Sequence, residues 1–280
     1  MSPPSNTDHP GVAAASSGPA VTLTELTGDF PYRIALAGGW IDQPFCSALN
    51  PEPPGSMVVV GVETEFRWME RAGIATGTRK VAIDLWGGGV PRGRDPAALV
   101  EELYRAENDG KADPSGTQDM IGLLYPGISR LDYDAGHRGG IFPSHIESCT
   151  DPEPARWLEQ VLHVLPVEPR PPGYNPLGSR NLDPQWIARL GRSGRDCFDA
   201  ILAMDLTALG ESMNLCTRCW EAILPHTLRH PALAIDLMKL WRFYAQDHPG
   251  AMFSGCGGGY LFVVSDKPVP GSFKVRVRLS

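Results

Sequence analysis

The sequence predicts an α+β fold, and three observations carry that prediction. Short apolar runs rich in β-branched residues are interspersed with stretches of helical period, in a mixed rather than strictly alternating order, which argues against a doubly wound sheet. Hydrophobic residues at 42% and charged residues at 20% sit near globular averages, so a packed core is expected. At 280 residues the chain can bury that core in one large domain or two small ones.

Residues 1–20 (MSPPSNTDHPGVAAASSGPA) are mostly Pro, Ser and Ala with almost no large apolar side chain. Burial cannot offset their ordering entropy, and a mobile tail is expected. Three strand-like stretches follow, VTLTEL, YRIALAG and SMVVVGVETEF. From Gly73 the pattern turns glycine-rich and then helical (GIATGTRKVAIDLW). Asp95 is placed to cap a helix over PAALVEELYRAEND with Ala98, Leu99, Leu103 and Ala106 on its apolar face. Residues 121–134 (IGLLYPGISRLDYD) read as strand and turn, and 155–168 as a helix followed by the strand LHVLPVE. The Pro/Gly-rich stretch 169–184 reads as an ordered loop. Two amphipathic helices are expected, one over 184–224 and one over 231–247, then the strand GYLFVVSD, a turn at Pro268–Gly271 and a half-exposed terminal strand FKVRVRLS. No internal repeat is seen.

The net charge of -7 and pI near 5.5 argue against a nucleic-acid or anionic-membrane partner, so any anionic ligand must be held by local groups. No run approaches the ~18 apolar residues of a membrane span, and the N-terminus lacks a basic-then-apolar leader. A cytoplasmic location is therefore expected. Six cysteines are too sparse for a secreted disulfide scaffold, in keeping with a reducing compartment.

Three segments can carry chemistry. Ser254-Gly255-Cys256-Gly257-Gly258-Gly259 can cradle an anion with successive backbone N–H groups, although a flexible helix-to-strand turn explains it equally well in isolation. Gly73 to Lys80 precedes a helix, where free N–H groups and the helix dipole favour phosphate. There Thr76 and Thr78 offer hydroxyls, and Arg79 or Lys80 offers charge; an ordinary helix start with a solvated basic pair is the plain alternative. The third segment is Ser115-Gly116-Thr117-Gln118-Asp119, after a helix that carries Glu107. One carboxylate can orient a hydroxyl or take its proton while another holds Mg²⁺. A lone Asp119 would more commonly be a helix cap.

Taken together these segments resemble the GHMP kinases. The stretch RIALAGGWID (33–42) is similar to the family's first motif in the heptose 7-phosphate kinase and fucokinase branch. GIATGTRKVA stands where the family has its phosphate loop, Glu107 and Asp119 in SGTQD resemble its metal ligand and its G-x-Q-D aspartate, and GAMFSGCGGG (250–259) resembles its third motif. The resemblance spans residues 33–264 and implies a two-lobed fold, with a ribosomal S5-like N-terminal lobe over 21–150 and an α/β C-terminal lobe over 151–280.

It further implies a kinase that uses ATP and Mg²⁺ to phosphorylate a hydroxyl of a sugar, sugar phosphate or sugar-like small molecule, with room for a homodimer. By the same resemblance Asp119 and Arg33 are expected in the catalytic roles, and the further assignments follow from it. Gly73, Ala75, Thr76, Gly77, Thr78, Arg79 and Lys80 with Ser254, Gly255, Gly257 and Gly258 hold the nucleotide. Gly38, Gly39, Trp40, Asp42 and Gln118 face the acceptor, and Thr78 with Glu107 holds the metal. The sequence departs from the family pattern where Arg79 and Lys80 replace small residues, and where only about ten residues separate VVVGVE from the second loop. Rival readings are a kinase of a non-sugar alcohol and a nucleotide-binding pseudokinase.

Other clusters read more plainly. Cys216-Thr-Arg-Cys219 lacks a second ligand pair at zinc spacing and reads as buried helix cysteines. His145, Glu147 and Cys149 come without a nucleophile elbow or HExxH, which favours a pocket or structural role. Arg170, Arg180, Arg189, Arg192 and Arg195 form either a phosphate-reading patch or, more ordinarily, a solvated arginine surface.

Overall fold

The run Gly55–Val62 is buried along its whole length, and its consecutive valines suit a strand covered on both sides. It forms β2 of a four-stranded antiparallel sheet ordered β1-β2-β3-β4, with β1 at Tyr32–Ala35, β3 at Ile128–Tyr133 and β4 at His145–Cys149. The register pairs Ile34 with Val60 and Met57 with Leu131. A second antiparallel sheet, ordered β5-β7-β6, comprises β5 (Leu162–Pro166), β6 (Gly250–Phe253) and β7 (Tyr260–Val264). This computed structural model describes residues 30–65, 68–111 and 114–280. The expected tail at 1–20 and strand at 21–26 lie outside the described residues.

The helices are α1 (Pro44–Ser47), α2 (Thr76–Trp86), α3 (Pro96–Asn108), α4 (Gln118–Leu124), α5 (Pro152–Val161), α6 (Pro184–Ala203), α7 (Leu206–Ile223) and α8 (Leu237–Asp247). Aspartates cap the starts of α3, α5, α6, α7 and α8, where Asp95, Asp151, Asp183, Asp205 and Asp236 accept backbone N–H bonds. Helix α2 differs. Its N-cap is Ala75 in the left-handed region (φ 58), and no side chain caps it.

The two sheets share one core. Helix α6 lies on β2 through Gly191 and Gly194, where a Cβ at Gly194 would run into the backbone of Ser56 and Met57. The C-terminal segment bridges both sheets, pairing Val277 with Val62 and Phe273 with Val164. It makes isolated bridges instead of the expected strand, yet the expected alternation holds: Val275 and Val277 are buried while Lys274 and Arg276 are exposed.

Three local expectations need correction. The helix expected over 184–224 is two, α6 and α7, because Met204 turns left-handed (φ 54) and Asp205 caps a new helix start, and the one expected over 231–247 begins only at Leu237 behind its cap Asp236. Residues 121–124 finish α4 instead of opening a strand, because burial of Met120, Ile121, Leu123 and Leu124 against β1 and β2 outweighs local propensity. In α3 the buried face is Leu99, Val100 and Leu103, while Ala98 and Ala106 are exposed, since the larger side chains gain more from burial. The strand β6 (GAMF) is not separable in the sequence from the glycine motif it precedes.

Candidate active site

A cleft of about 1100 Å³ opens where β1, the starts of α2 and α4, and the turn before β7 meet. Arg33 lies in the middle of β1 and is 3% exposed. Its Nη2 forms an ion pair with Asp119 Oδ1 in the first turn of α4, and its Nη1 donates to the Gly73 carbonyl at 3.2 Å. Gly122, one turn further along α4, leaves room for the Arg33 stem, which a Cβ there would hit. Burial lowers the Arg33 pKa to about 10, so the guanidinium stays charged at neutral pH. Thr78, buried in the first turn of α2, donates from Oγ1 to Asp119 Oδ2 at 3.5 Å. One carboxylate thus gathers two elements and a glycine loop around it.

Asp42 follows the turn Gly39-Trp40-Ile41 and is 1% exposed. Its Oδ2 accepts from Gln43 Nε2 at 3.3 Å, and its Oδ1 is buried without a hydrogen-bond partner. Burial raises its pKa to about 6, with Gln43 and Arg33 pulling the other way. The absence of a side chain at Gly116 is what lets the segment before α4 close over Asp42. Gly39 and Trp40 line the cleft beside it, with Trp40 at φ 82 and Trp220 Nε1 donating to the Gly39 carbonyl at 2.9 Å. Gln118 also lines the cleft, and its Oε1 is buried and unpartnered.

Glu107, in the last turn of α3, accepts from Ser115 Oγ at 2.9 Å and lies 3.5 Å from Lys111 Nζ, both through Oε1. Its Oε2 is buried with no partner. An orphaned carboxylate oxygen, together with the Thr78 hydroxyl on the same cleft, is a hard oxygen donor set that fits Mg²⁺.

The two glycine loops touch. Ser254 Oγ donates to the Ala72 carbonyl at 2.5 Å, and a Cβ at Gly73 (φ +73) would stand 2.9 Å from Gly255 Cα. Gly73, Ala75, Thr76, Gly77, Thr78, Lys80, Ser254, Gly255 and Cys256 all line the cleft, next to the uncapped N-terminus of α2. Three residues expected at the ligand are placed elsewhere. Gly257 and Gly258 are not among the lining residues: Gly257 N donates to the Thr227 carbonyl at 2.7 Å, and Gly258 packs on the Glu168 carbonyl. Gly38 lies below the surface, donating from N to Cys216 Sγ at 3.3 Å. Arg79 lines the cleft, but its guanidinium donates to the carbonyls of Phe30 and Pro31 and lies 4.2 Å from the centre of the Tyr32 ring. It fastens α2 to the start of β1, which gives the arginine at this position a structural reason.

The remaining clusters resolve into structural parts. Cys216 and Cys219 are free and fully buried, and no group of three metal-ligating side chains exists among the described residues. Glu147, on the edge strand β4, pairs with Arg130 on the neighbouring β3. The five arginines do not converge on the cleft: Arg180 lies over Phe45, Arg189 over Trp186, Arg192 pairs with Glu52, and Arg195 donates to the Pro54 carbonyl. Only Arg170 reaches the cleft, with Tyr174. Sequence reasoning left Tyr174, Lys111 and Trp220 unassigned, because nothing local distinguishes residues brought in from remote segments.

No family model matches the chain, and no curated protein matches it in sequence. Solved structures do match its fold. A D-glycero-D-manno-heptose 1-phosphate kinase from Bacteroides thetaiotaomicron aligns with a TM-score of 0.52 at 10% identity, over 89% of this chain and 94% of that one. The Lactococcus lactis galactokinase aligns at 0.50 and 12% identity over 85% of each chain, and the Methanococcus jannaschii mevalonate kinase at 0.50 and 10% over 84% and 89%. No helix among the described residues is long and apolar enough to cross a membrane.

Proposed function

We propose that this chain, which has the GHMP-kinase fold, is an ATP- and Mg²⁺-dependent kinase that phosphorylates a hydroxyl of a sugar, sugar phosphate or sugar-like metabolite. The observation that carries this reading is the convergence of Arg33, Thr78 and Asp119 on a cleft bordered by two glycine loops. Phosphoryl transfer needs alignment and charge neutralisation more than covalent chemistry, and the cleft is built from parts that supply both.

In this reading residues 21–150 and 151–280 act as the two lobes, each contributing one glycine loop. The uncapped N-terminus of α2 offers free N–H groups to phosphate oxygens, with Thr76, Gly77 and Lys80 beside them. Asp119, held in place by Arg33, orients the acceptor hydroxyl and takes its proton. Asp42, with an unpartnered oxygen, receives hydrogen bonds from other acceptor hydroxyls, and Gln118 offers a second unpartnered oxygen. Glu107 and Thr78 would hold Mg²⁺, which neutralises phosphate charge. The sugar class is supported by this hydroxyl-accepting wall and by the fold's likeness to a heptose phosphate kinase and a galactokinase.

The experiment is a screen of sugars, sugar phosphates and amino alcohols with ATP and Mg²⁺, read as ADP release, beside calorimetry with a non-hydrolysable ATP analogue. Turnover of a sugar or sugar phosphate supports the full reading. Turnover of only a non-sugar alcohol corrects the acceptor, nucleotide binding without any turnover leaves a pseudokinase, and no binding at millimolar nucleotide overturns the reading.

A further inference from the structure

We infer that Arg170 is the cation that stabilises the phosphoryl group in flight, an inference that rests on the kinase reading above. The other cleft cations are differently placed. Arg33 is matched by Asp119, the Arg79 guanidinium faces backbone carbonyls, and Lys111 is beside Glu107. Lys80 and Arg71 are exposed at the rim.

Arg170 instead spans the seam between the two glycine loops. Its N and Nε both donate to the Arg71 carbonyl, at 3.2 and 3.0 Å, and its Nη1 lies 3.4 Å from Cys256 Sγ. Its Nη2 makes no hydrogen bond among the described residues. Its charge is felt at Arg33, where it acts to lower the pKa, so it belongs to the same electrostatic neighbourhood as the Arg33–Asp119 pair.

The mount is rigid. Pro169, Pro171 and Pro172 flank the arginine and fix their own φ angles. Four residues on, Tyr174 donates from its hydroxyl to the His226 carbonyl at 2.8 Å and packs its ring on Gly257 (φ +77). A guanidinium held on such a strap is oriented before ligand arrives, the condition under which a fixed charge lowers a barrier most. The two hydrogens of Nη2 and the second of Nη1 are left to face phosphoryl oxygens in one plane, an arrangement an ammonium cannot match. In the step, the bond between the γ-phosphorus and the β–γ bridging oxygen breaks as the acceptor oxygen bonds to that phosphorus. The acceptor proton goes to Asp119 and ADP leaves with the bond pair, while Arg170 neutralises charge without exchanging a proton.

The test separates ground state from transition state without requiring a known acceptor. Affinity for MgADP is measured by calorimetry with and without aluminium fluoride, whose complex with ADP mimics the transferring phosphoryl. Wild type should tighten by about tenfold or more, Arg170→Gln should lose most of that tightening while binding MgADP within about threefold of wild type, and Arg170→Lys should recover part of it. Arg170→Lys also serves if the Gln variant fails to fold, with tightening below wild type expected. Tightening equal to wild type in a folded Gln variant, or in the Lys variant where Gln does not fold, overturns the inference. So does a wild type that binds MgADP but does not respond to aluminium fluoride. Absence of MgADP binding by wild type would instead bring down the kinase reading itself.

Discussion

Arg33 on β1 and Asp119 at the start of α4 form an ion pair that also engages the second glycine loop, because the same guanidinium donates to the Gly73 carbonyl. The carboxylate proposed to meet the acceptor is thereby tied to the loop proposed to meet the nucleotide. Asp119→Asn keeps the side-chain size but removes the charge. Turnover of the acceptor should fall by about 10²–10⁴-fold. Leaving the buried guanidinium without its counter-ion should cost about 1–3 kcal/mol, visible in urea unfolding. A folded variant that keeps more than about a tenth of wild-type turnover would remove Asp119 from the chemistry.

Asp42 makes stability depend on pH. Its folded pKa of about 6 lies above the ordinary value of 3.8, so the native state binds the proton more tightly than the unfolded chain. That contribution is fully present below pH 4 and is lost as pH rises through 6. Asp42→Asn should therefore be more stable than wild type at pH 7.5, by up to about 3 kcal/mol, with the difference vanishing near pH 4. Denaturant midpoints at the two pH values check this. The same variant should weaken acceptor binding while sparing nucleotide, and an equal loss of both would point to a folding role.

Arg79 and Lys80 are neighbours with opposite expected behaviour. Arg79→Ala removes hydrogen bonds to the Phe30 and Pro31 carbonyls and should destabilise the fold by about 1–3 kcal/mol while shifting nucleotide affinity less than about threefold. Lys80→Ala removes an exposed cation at the end of the cleft proposed to hold phosphate and should leave stability within about 0.5 kcal/mol while weakening nucleotide binding severalfold. Melting curves combined with calorimetry decide both, and a large nucleotide defect in Arg79→Ala would return that residue to the phosphate site.

Two glycines of the second loop should respond in opposite senses. Gly73→Ala forces a Cβ against Ser254 and Gly255 at positive φ, so it should destabilise by about 1–3 kcal/mol and part the loops. Gly77 lies in the first turn of α2 with nothing within 4 Å of a built Cβ, so Gly77→Ala should raise stability by about 0.5–1 kcal/mol. If phosphate packs directly on Gly77, the same methyl group lowers nucleotide affinity. Unchanged affinity would place the phosphates elsewhere.

The sequence by itself determined the α+β class, most helices and strands, and both glycine loops. These signals are local: the buried valine run of β2, the aspartate ahead of α3 and the proline-flanked loop at 169–172 act within a turn or two of chain. The departure of Arg79 from the kinase pattern that the sequence resembles was also visible there. Only the tertiary structure decided what each side chain faces. It gave the Arg79 guanidinium to the Phe30 carbonyl, turned Gly257 toward Thr227, closed α4 over residues 121–124, and set Arg170 and Trp220 against residues far away in sequence. Capping and periodicity are fixed by neighbours along the chain, whereas the partner of a buried polar group is fixed by which distant surfaces pack together, and no local pattern encodes that choice.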